Sequence, residues 1–97
     1  MPENEYRKRL EKGFGPLGYC CTEDKNYSFE FRNPGKPLRF AVKYCEGGVM
    51  LFWTEDQQCD LLDRIPSSGV NISVFNGSPE EFWRAVAEIA EGSQSAR

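Results

Sequence analysis

The chain has 97 residues, of which 39% are hydrophobic and 28% charged, and its formal net charge is −3. This length suffices for one domain with one core, and the composition excludes a disordered chain. Charged residues interrupt every apolar run and the N-terminus has no apolar stretch, so neither a membrane span nor a secretory signal is predicted. We expect one cytoplasmic domain over residues 1–97, with residues 93–97 frayed and the four cysteines reduced.

The chain begins with a predicted short amphipathic helix over residues 3–12. Tyr6 and Leu10 stand four positions apart and share one face of this helix. Gly13 is the expected stop, and the Phe14-Gly15-Pro16 sequence that follows favours a turn. Because the helix has little apolar surface, it is expected to be stable only when it is docked on the rest of the domain.

A β-meander is predicted for the middle of the chain, where apolar and polar residues alternate with the period of a strand. The predicted strands cover residues 19–22, 27–32, 38–44, 49–53 and 70–75. The order of the elements predicts an α+β fold. It consists of a mostly antiparallel sheet of about five strands, arranged as a meander and packed against a C-terminal helix, with a short N-terminal helix.

The strand patterns also predict a register. Placing Arg32 opposite Pro37 sorts the aromatic residues onto one face and sets Glu30 directly across from Arg39. A turn at residues 47–48 then aligns Tyr44 with Leu51.

The C-terminal helix is predicted from a capping box at residues 78–81, and Gly92 is its expected end. Its apolar stripe and the inner face of the sheet are expected to share one core. The residues predicted for that core are Phe29, Phe40, Trp53, Phe82 and Val86. Between the last two strands, a helical turn within residues 57–64 is predicted, with Leu61, Leu62 and Ile65 pointing inward.

The sequence offers little catalytic chemistry. It contains no histidine, which removes the most frequent general base and most metal sites, and no cofactor or metal site is predicted. Cys20 and Cys21 are adjacent and are expected on opposite faces of a strand, and the further spacings to Cys45 and Cys59 match no zinc motif. We expect a protein that is not an enzyme, and a thiol-dependent enzyme built on Cys59 or Cys20 is the third hypothesis.

Charge is divided unevenly along the chain. Residues 1–45 carry nine basic and six acidic side chains, whereas residues 46–97 carry three basic and nine acidic ones. The stretch 46–63 has five carboxylates and no basic residue, beside a strand whose outer face carries Met50 and Phe52. The leading hypothesis is therefore a non-catalytic protein that binds another protein with a basic surface, as an inhibitor, an immunity-type protein or an adaptor.

The predicted acidic binding face comprises Glu46, Met50, Phe52, Glu55, Asp56, Asp60 and Asp63. Whether Met50 and Phe52 are exposed or covered by the N-terminal helix stays open. The alternative is a nucleic-acid or nucleoprotein binder that uses a basic hairpin with Arg32, Lys36, Arg39 and Lys43. Two observations weigh against this alternative: the aromatic residues of the hairpin are predicted to be core, and the calculated isoelectric point is near 5.0.

Overall fold

The computed structural model describes residues 3–45, 48–58, 60–62, 71–75 and 79–95. The elements are α1 (Glu3–Phe14), a 3₁₀ turn (Gly15–Leu17), β1 (Cys20–Lys25), β2 (Ser28–Arg32), β3 (Arg39–Cys45), β4 (Gly48–Thr54), β5 (Asn71–Phe75) and α2 (Pro79–Ser95). The strands lie in one sheet in sequence order, and every neighbouring pair is antiparallel. The predicted α+β class is confirmed, with an antiparallel meander that follows one helix and precedes the other in the chain.

The predicted register between β2 and β3 is wrong by two residues. Arg32 pairs with Arg39, rather than with Pro37, and Phe31 pairs with Phe40. Glu30 therefore lies diagonally across from Arg39 instead of directly opposite. A shift of two leaves the side chains of β2 and β3 on their predicted faces, because side chains alternate along a strand with a period of two. Tyr27, which was predicted to begin the strand, instead precedes β2 with a φ of +62° and is exposed.

The turn between β2 and β3 explains this shift. The Asn33 side-chain oxygen accepts a hydrogen bond from the Gly35 N–H at 2.8 Å, and the Asn33 carbonyl accepts one from the Lys36 N–H at 3.0 Å. Pro37 has no N–H to donate to a ladder, so pairing resumes only at Arg39. The connection therefore takes six residues rather than four.

The register between β3 and β4 is also two residues away from the prediction. Cys45 pairs with Gly48, and Tyr44 pairs with Val49 rather than with Leu51. Gly48 thus belongs to β4 instead of the turn, and the two residues that precede it lie outside the described residues. The inner and outer faces are again as predicted.

The helices and the inner face of the sheet form the main core. Phe14, at the end of α1, is fully buried and stacks on Phe31 with a centroid distance of 4.3 Å. The predicted core residues Phe29, Phe40, Phe82 and Val86 are buried there, and half-buried Trp53 packs against them, as predicted. Leu10 of α1 is buried in the same core, which supplies the docking that this short helix needs.

Both helices continue past the glycine that was expected to end them. α1 includes Gly13 and ends at Phe14, and α2 extends beyond Gly92 to Ser95. Gly13 has a packing role: a Cβ at this position would lie 2.3 Å from the Trp83 indole. Ser78, the predicted cap of α2, lies outside the described residues.

Gly13→Ala is therefore expected to destabilise the protein by about 1–3 kcal/mol, as overpacking does. In an unobstructed helix the same change is stabilising by about 0.5–1 kcal/mol, so the sign identifies the steric effect. Trp83 cannot move aside freely, since its ring lies 5.1 Å from Phe14 and 4.8 Å from Phe82, centroid to centroid.

Chemical denaturation of Gly13→Ala, alone and with Trp83→Leu, measures this effect. In the Trp83→Leu background the clash is absent, so Gly13→Ala should not lower the free energy of unfolding any further. A stabilising Gly13→Ala in the wild-type background would contradict the close contact.

Candidate functional site

The outer face of the sheet, opposite the helices, carries a second and smaller apolar cluster. Phe52 of β4 is only 4% exposed and packs with Ala41 of β3 and with Leu61, which follows β4 in the chain. Met50 and Leu62 are half-buried at the border of the cluster. An exposed apolar centre at Phe52 is therefore ruled out.

The cover over Phe52 does not come from the N-terminal helix. Tyr6 and Leu10 pack into the main core on the other side of the sheet. The cover comes from Leu61, nine residues further along the chain than Phe52 and within an irregular stretch. We call residues 55–62 the acidic segment, since Glu55, Asp56 and Asp60 lie on it.

Beside the apolar cluster, a buried carboxylate holds two arginines. Glu30 is 3% exposed and Arg39 is 2% exposed. One Glu30 oxygen, Oε2, accepts hydrogen bonds from Arg39 Nε at 3.0 Å and Nη2 at 2.8 Å, and from Arg32 Nε at 2.8 Å. These charge-assisted bonds offset the cost of burying the ions, and the three groups together carry a net charge of +1.

Arg39 also fastens the acidic segment to the sheet. Its Nη1 donates a hydrogen bond to the backbone carbonyl of Asp56. A second attachment comes from the Gln57 side chain, whose Nε2 donates to the Pro37 carbonyl at 2.6 Å and to the Glu55 carbonyl at 3.0 Å. The segment is thus anchored both to the start of β3 and to the turn before it.

Local hydrogen bonds give the acidic segment its shape. The Thr54 hydroxyl accepts a bond from the Asp56 N–H at 3.0 Å, and the Asp56 carboxylate accepts one from the Gln58 N–H at 2.9 Å. The Asp60 carboxylate accepts one from the Leu62 N–H at 3.2 Å. Such side-chain bonds to the backbone two residues on compete with helix formation.

The helix predicted within residues 57–64 is accordingly not observed. The described residues of that stretch form isolated hydrogen-bonded turns and no helix. Leu61 is buried, as predicted, but against the outer face of the sheet. Leu62 is half-buried at the border of the same cluster, and Ile65 lies outside the described residues.

Three of the predicted acidic residues therefore come together on one shaped segment. Glu55, Asp56 and Asp60 are all exposed there. Glu46 and Asp63 lie outside the described residues. The carboxylates of Asp56 and Asp60 have a double role, because each stabilises a turn while it remains accessible to solvent.

The four residues of the predicted basic hairpin do not form one continuous surface. Arg39 is buried in its ion pair, and Lys43 is exposed four positions further along β3. Arg32 and Lys36 are half-buried and line a cleft at the opposite end of the hairpin. The aromatic side chains of β2 and β3 point away from these cations, into the main core.

The cysteines are free where they are described. Cys20 pairs with Arg32 and Cys21 with Phe31, so the two thiols face opposite sides of the sheet, as predicted. Cys20 and Cys45 are exposed, and burial raises the pKa of the half-buried Cys21 thiol. Cys59 lies outside the described residues. Within the described ranges, no group of three or more Cys, Asp or Glu side chains is placed to hold a metal ion.

Thr54 and Gln57 were not identified from the sequence as residues that hold the acidic segment. Glu30 was likewise not identified as a carboxylate that binds two arginines. The turn-forming bonds had a signal in the sequence, since Thr54, Asp56 and Asp60 each bond a backbone N–H two residues further on, a spacing typical of these side chains. The bonds from Gln57 and from Arg39 Nη1 to backbone carbonyls had no signal, because every residue has a carbonyl.

Comparison of the chain with protein-family models, with curated proteins and with solved structures finds no match. Among the helices that the structure describes, none is long and apolar enough to cross a membrane.

Proposed function

We propose that this protein acts by binding another protein through the acidic segment, without catalysis, as an inhibitor, an immunity-type protein or an adaptor. One observation carries the proposal: the exposed carboxylates of Glu55, Asp56 and Asp60 lie on a segment whose backbone is held by buried Arg39. A segment that is already ordered loses little conformational entropy when a partner binds it.

The partner in this proposal has a basic surface. Exposed carboxylates on a fixed segment attract such a surface from a distance and orient it before contact. The function of Phe52 and Leu61 is then to support the segment from below, while Met50 and Leu62 are half-buried at the border of the cluster. Because the attraction is between exposed charges, added salt weakens it.

The test removes the charges while keeping the turns. The variant Glu55→Gln with Asp56→Asn and Asp60→Asn retains an oxygen at each turn-forming position, whereas lysine substitutions would break the turns as well. The partner is isolated by affinity capture on the wild-type chain, and its association with each variant is followed by surface plasmon resonance. We expect the association rate at low salt to fall by about tenfold or more.

The matched control removes three carboxylates elsewhere, with Glu5→Gln, Glu88→Gln and Glu91→Gln on the exposed sides of the helices. This control has the same net charge as the test variant and is expected to retain most of the wild-type rate. Equal rates for the two variants would contradict the proposal. A complex that is lost with Lys36→Gln and Lys43→Gln instead would favour the nucleic-acid or nucleoprotein alternative.

We also propose that the protein works in the cytoplasm. The free thiols of Cys20, Cys21 and Cys45 support this compartment, because cysteines remain reduced where glutathione and thioredoxin are present. Fractionation of the native cell, followed by detection with an antibody, tests the assignment.

A further inference from the structure

A cleft of about 380 Å³ opens beside the start of β1 and the turn between β2 and β3. Its lining includes Cys20, Thr22, Arg32, Asn33, Lys36 and Gln57. We propose that this cleft binds a small molecule that carries an oxyanion, either a phosphate or a carboxylate. The inference does not rest on the protein-binding proposal, since the cations that carry it, Arg32 and Lys36, lie outside the acidic segment.

The charge of the lining favours an anion. Among the described residues that line the cleft, Arg32 and Lys36 are the ones charged at neutral pH, and none carries a carboxylate. Glu30 binds Arg32 from below, but its single negative charge is shared with Arg39. The positive charge in and under the cleft therefore exceeds the negative charge.

The Arg32 guanidinium is held for bidentate binding. Its Nε is fixed by the buried Glu30 carboxylate at 2.8 Å, while the described residues supply no hydrogen bond to its two Nη nitrogens. The guanidinium fork matches the geometry of carboxylate and phosphate oxygens. Lys36, on the turn that follows β2, adds a second positive charge to the same cleft.

The other polar side chains of the lining form hydrogen bonds within the protein. The Asn33 amide donates to the Leu17 carbonyl at 3.4 Å and accepts from the Gly35 N–H. The close approach of Asn33 requires a glycine at Gly18, where a Cβ would lie 2.7 Å from Asn33 Nδ2 and where φ is +89°. Gln57 is fixed by its two carbonyl acceptors. The donors left for a ligand are thus mainly the two cations.

The size of the cleft selects the class of ligand. Sites for small molecules range from about 300 to 1,000 Å³, and this cleft, at about 380 Å³, lies near the lower end of that range. Its described lining has no aromatic side chain on which the bases of a nucleic-acid strand could stack.

Cys20 provides a reporter within the cleft. With Cys21→Ala, Cys45→Ser and Cys59→Ser, Cys20 is the one thiol that the sequence retains. The Cys20 thiolate attacks a disulfide reagent, forms a mixed disulfide and releases the second half of the reagent as a coloured thiol or thiolate. The rates are measured with dithionitrobenzoate, which is a dianion, and with dithiodipyridine, which is neutral.

We expect the ratio of the anionic to the neutral rate to exceed that of a free cysteine derivative by about tenfold. Arg32→Gln with Lys36→Gln should return the ratio to the free value, whereas the control Lys8→Gln with Lys43→Gln should leave it high. The neutral reagent shows whether each variant keeps the thiol accessible, and circular dichroism shows whether the variant is folded.

Inorganic phosphate and citrate are then added as competing anions in separate titrations, with sodium chloride at equal ionic strength as the reference. Saturable protection of Cys20 by phosphate identifies a phosphate site, and saturable protection by citrate identifies a carboxylate site. Protection by neither anion beyond that of sodium chloride, or protection that survives Arg32→Gln with Lys36→Gln, would overturn the proposal.

Discussion

Arg39→Met is expected to lower the free energy of unfolding by about 3–5 kcal/mol, because it removes one partner of a buried ion pair. Glu30 is 3% exposed and would keep Arg32 as its cation, at the edge of the site. The substitution also removes the hydrogen bond from Arg39 to the Asp56 carbonyl, so the acidic segment loses one of its attachments. Urea denaturation of the variant and the wild type measures the difference.

The double variant Glu30→Gln with Arg39→Met serves as the control. It removes the buried negative charge together with its partner, and replacing both members of a buried pair is often nearly neutral. The double variant should therefore be more stable than Arg39→Met alone. A loss below about 1 kcal/mol for Arg39→Met would mean that the pair is solvated and does not hold the segment.

Phe14→Ala, as a separate single variant, is expected to lower the free energy of unfolding by about 3–5 kcal/mol. Phe14 is fully buried, stacks on Phe31 at 4.3 Å, and lies 5.3 Å from Phe40 and 5.1 Å from Trp83, measured between ring centroids. Removing its ring would leave a cavity at the point where α1, the sheet and α2 meet. Chemical denaturation again measures the loss.

Phe14→Leu is the matched control, since leucine fills much of the same space and volume-conserving changes usually cost under about 1.5 kcal/mol. If Phe14→Ala is no worse than Phe14→Leu, then the position is able to collapse and Phe14 is not the centre of the core.

The faces of the strands could be predicted from the sequence, whereas their register could not. Alternation in residues 27–32 and 38–44 identifies which side chains point inward, and a slip of two residues does not change that pattern. The register depends on the length of the turn. That length is determined by a hydrogen bond from Gly35 to the Asn33 side chain and by the missing N–H of Pro37.

The charges of the candidate site were visible in the sequence, but the way they are held was not. Acidic residues between positions 46 and 63 are apparent by inspection. Burial of Phe52 depends on Leu61, which was predicted to point inward from a helical turn, whereas it reaches Phe52 from an irregular stretch. The pairing of Arg39 with Glu30 was predicted, but the burial of both side chains and the bond from Arg39 to a backbone carbonyl were not.

Glycine gave a misleading signal at Gly13. A glycine after ten helical residues normally indicates the end of a helix. Here the helix continues for one more residue, because the position serves the approach of the Trp83 ring rather than a left-handed turn. Such a role depends on a contact seventy residues away and has no local signature.

Hydrogen–deuterium exchange of the wild-type chain, with and without its captured partner, tests most directly where that partner binds. We predict that the backbone amides of residues 56–62 exchange more slowly in the complex, while those of α1 and α2 are unchanged. Slower exchange confined to the helices, or to the strands around Lys43, with the acidic segment unaffected, would contradict the account.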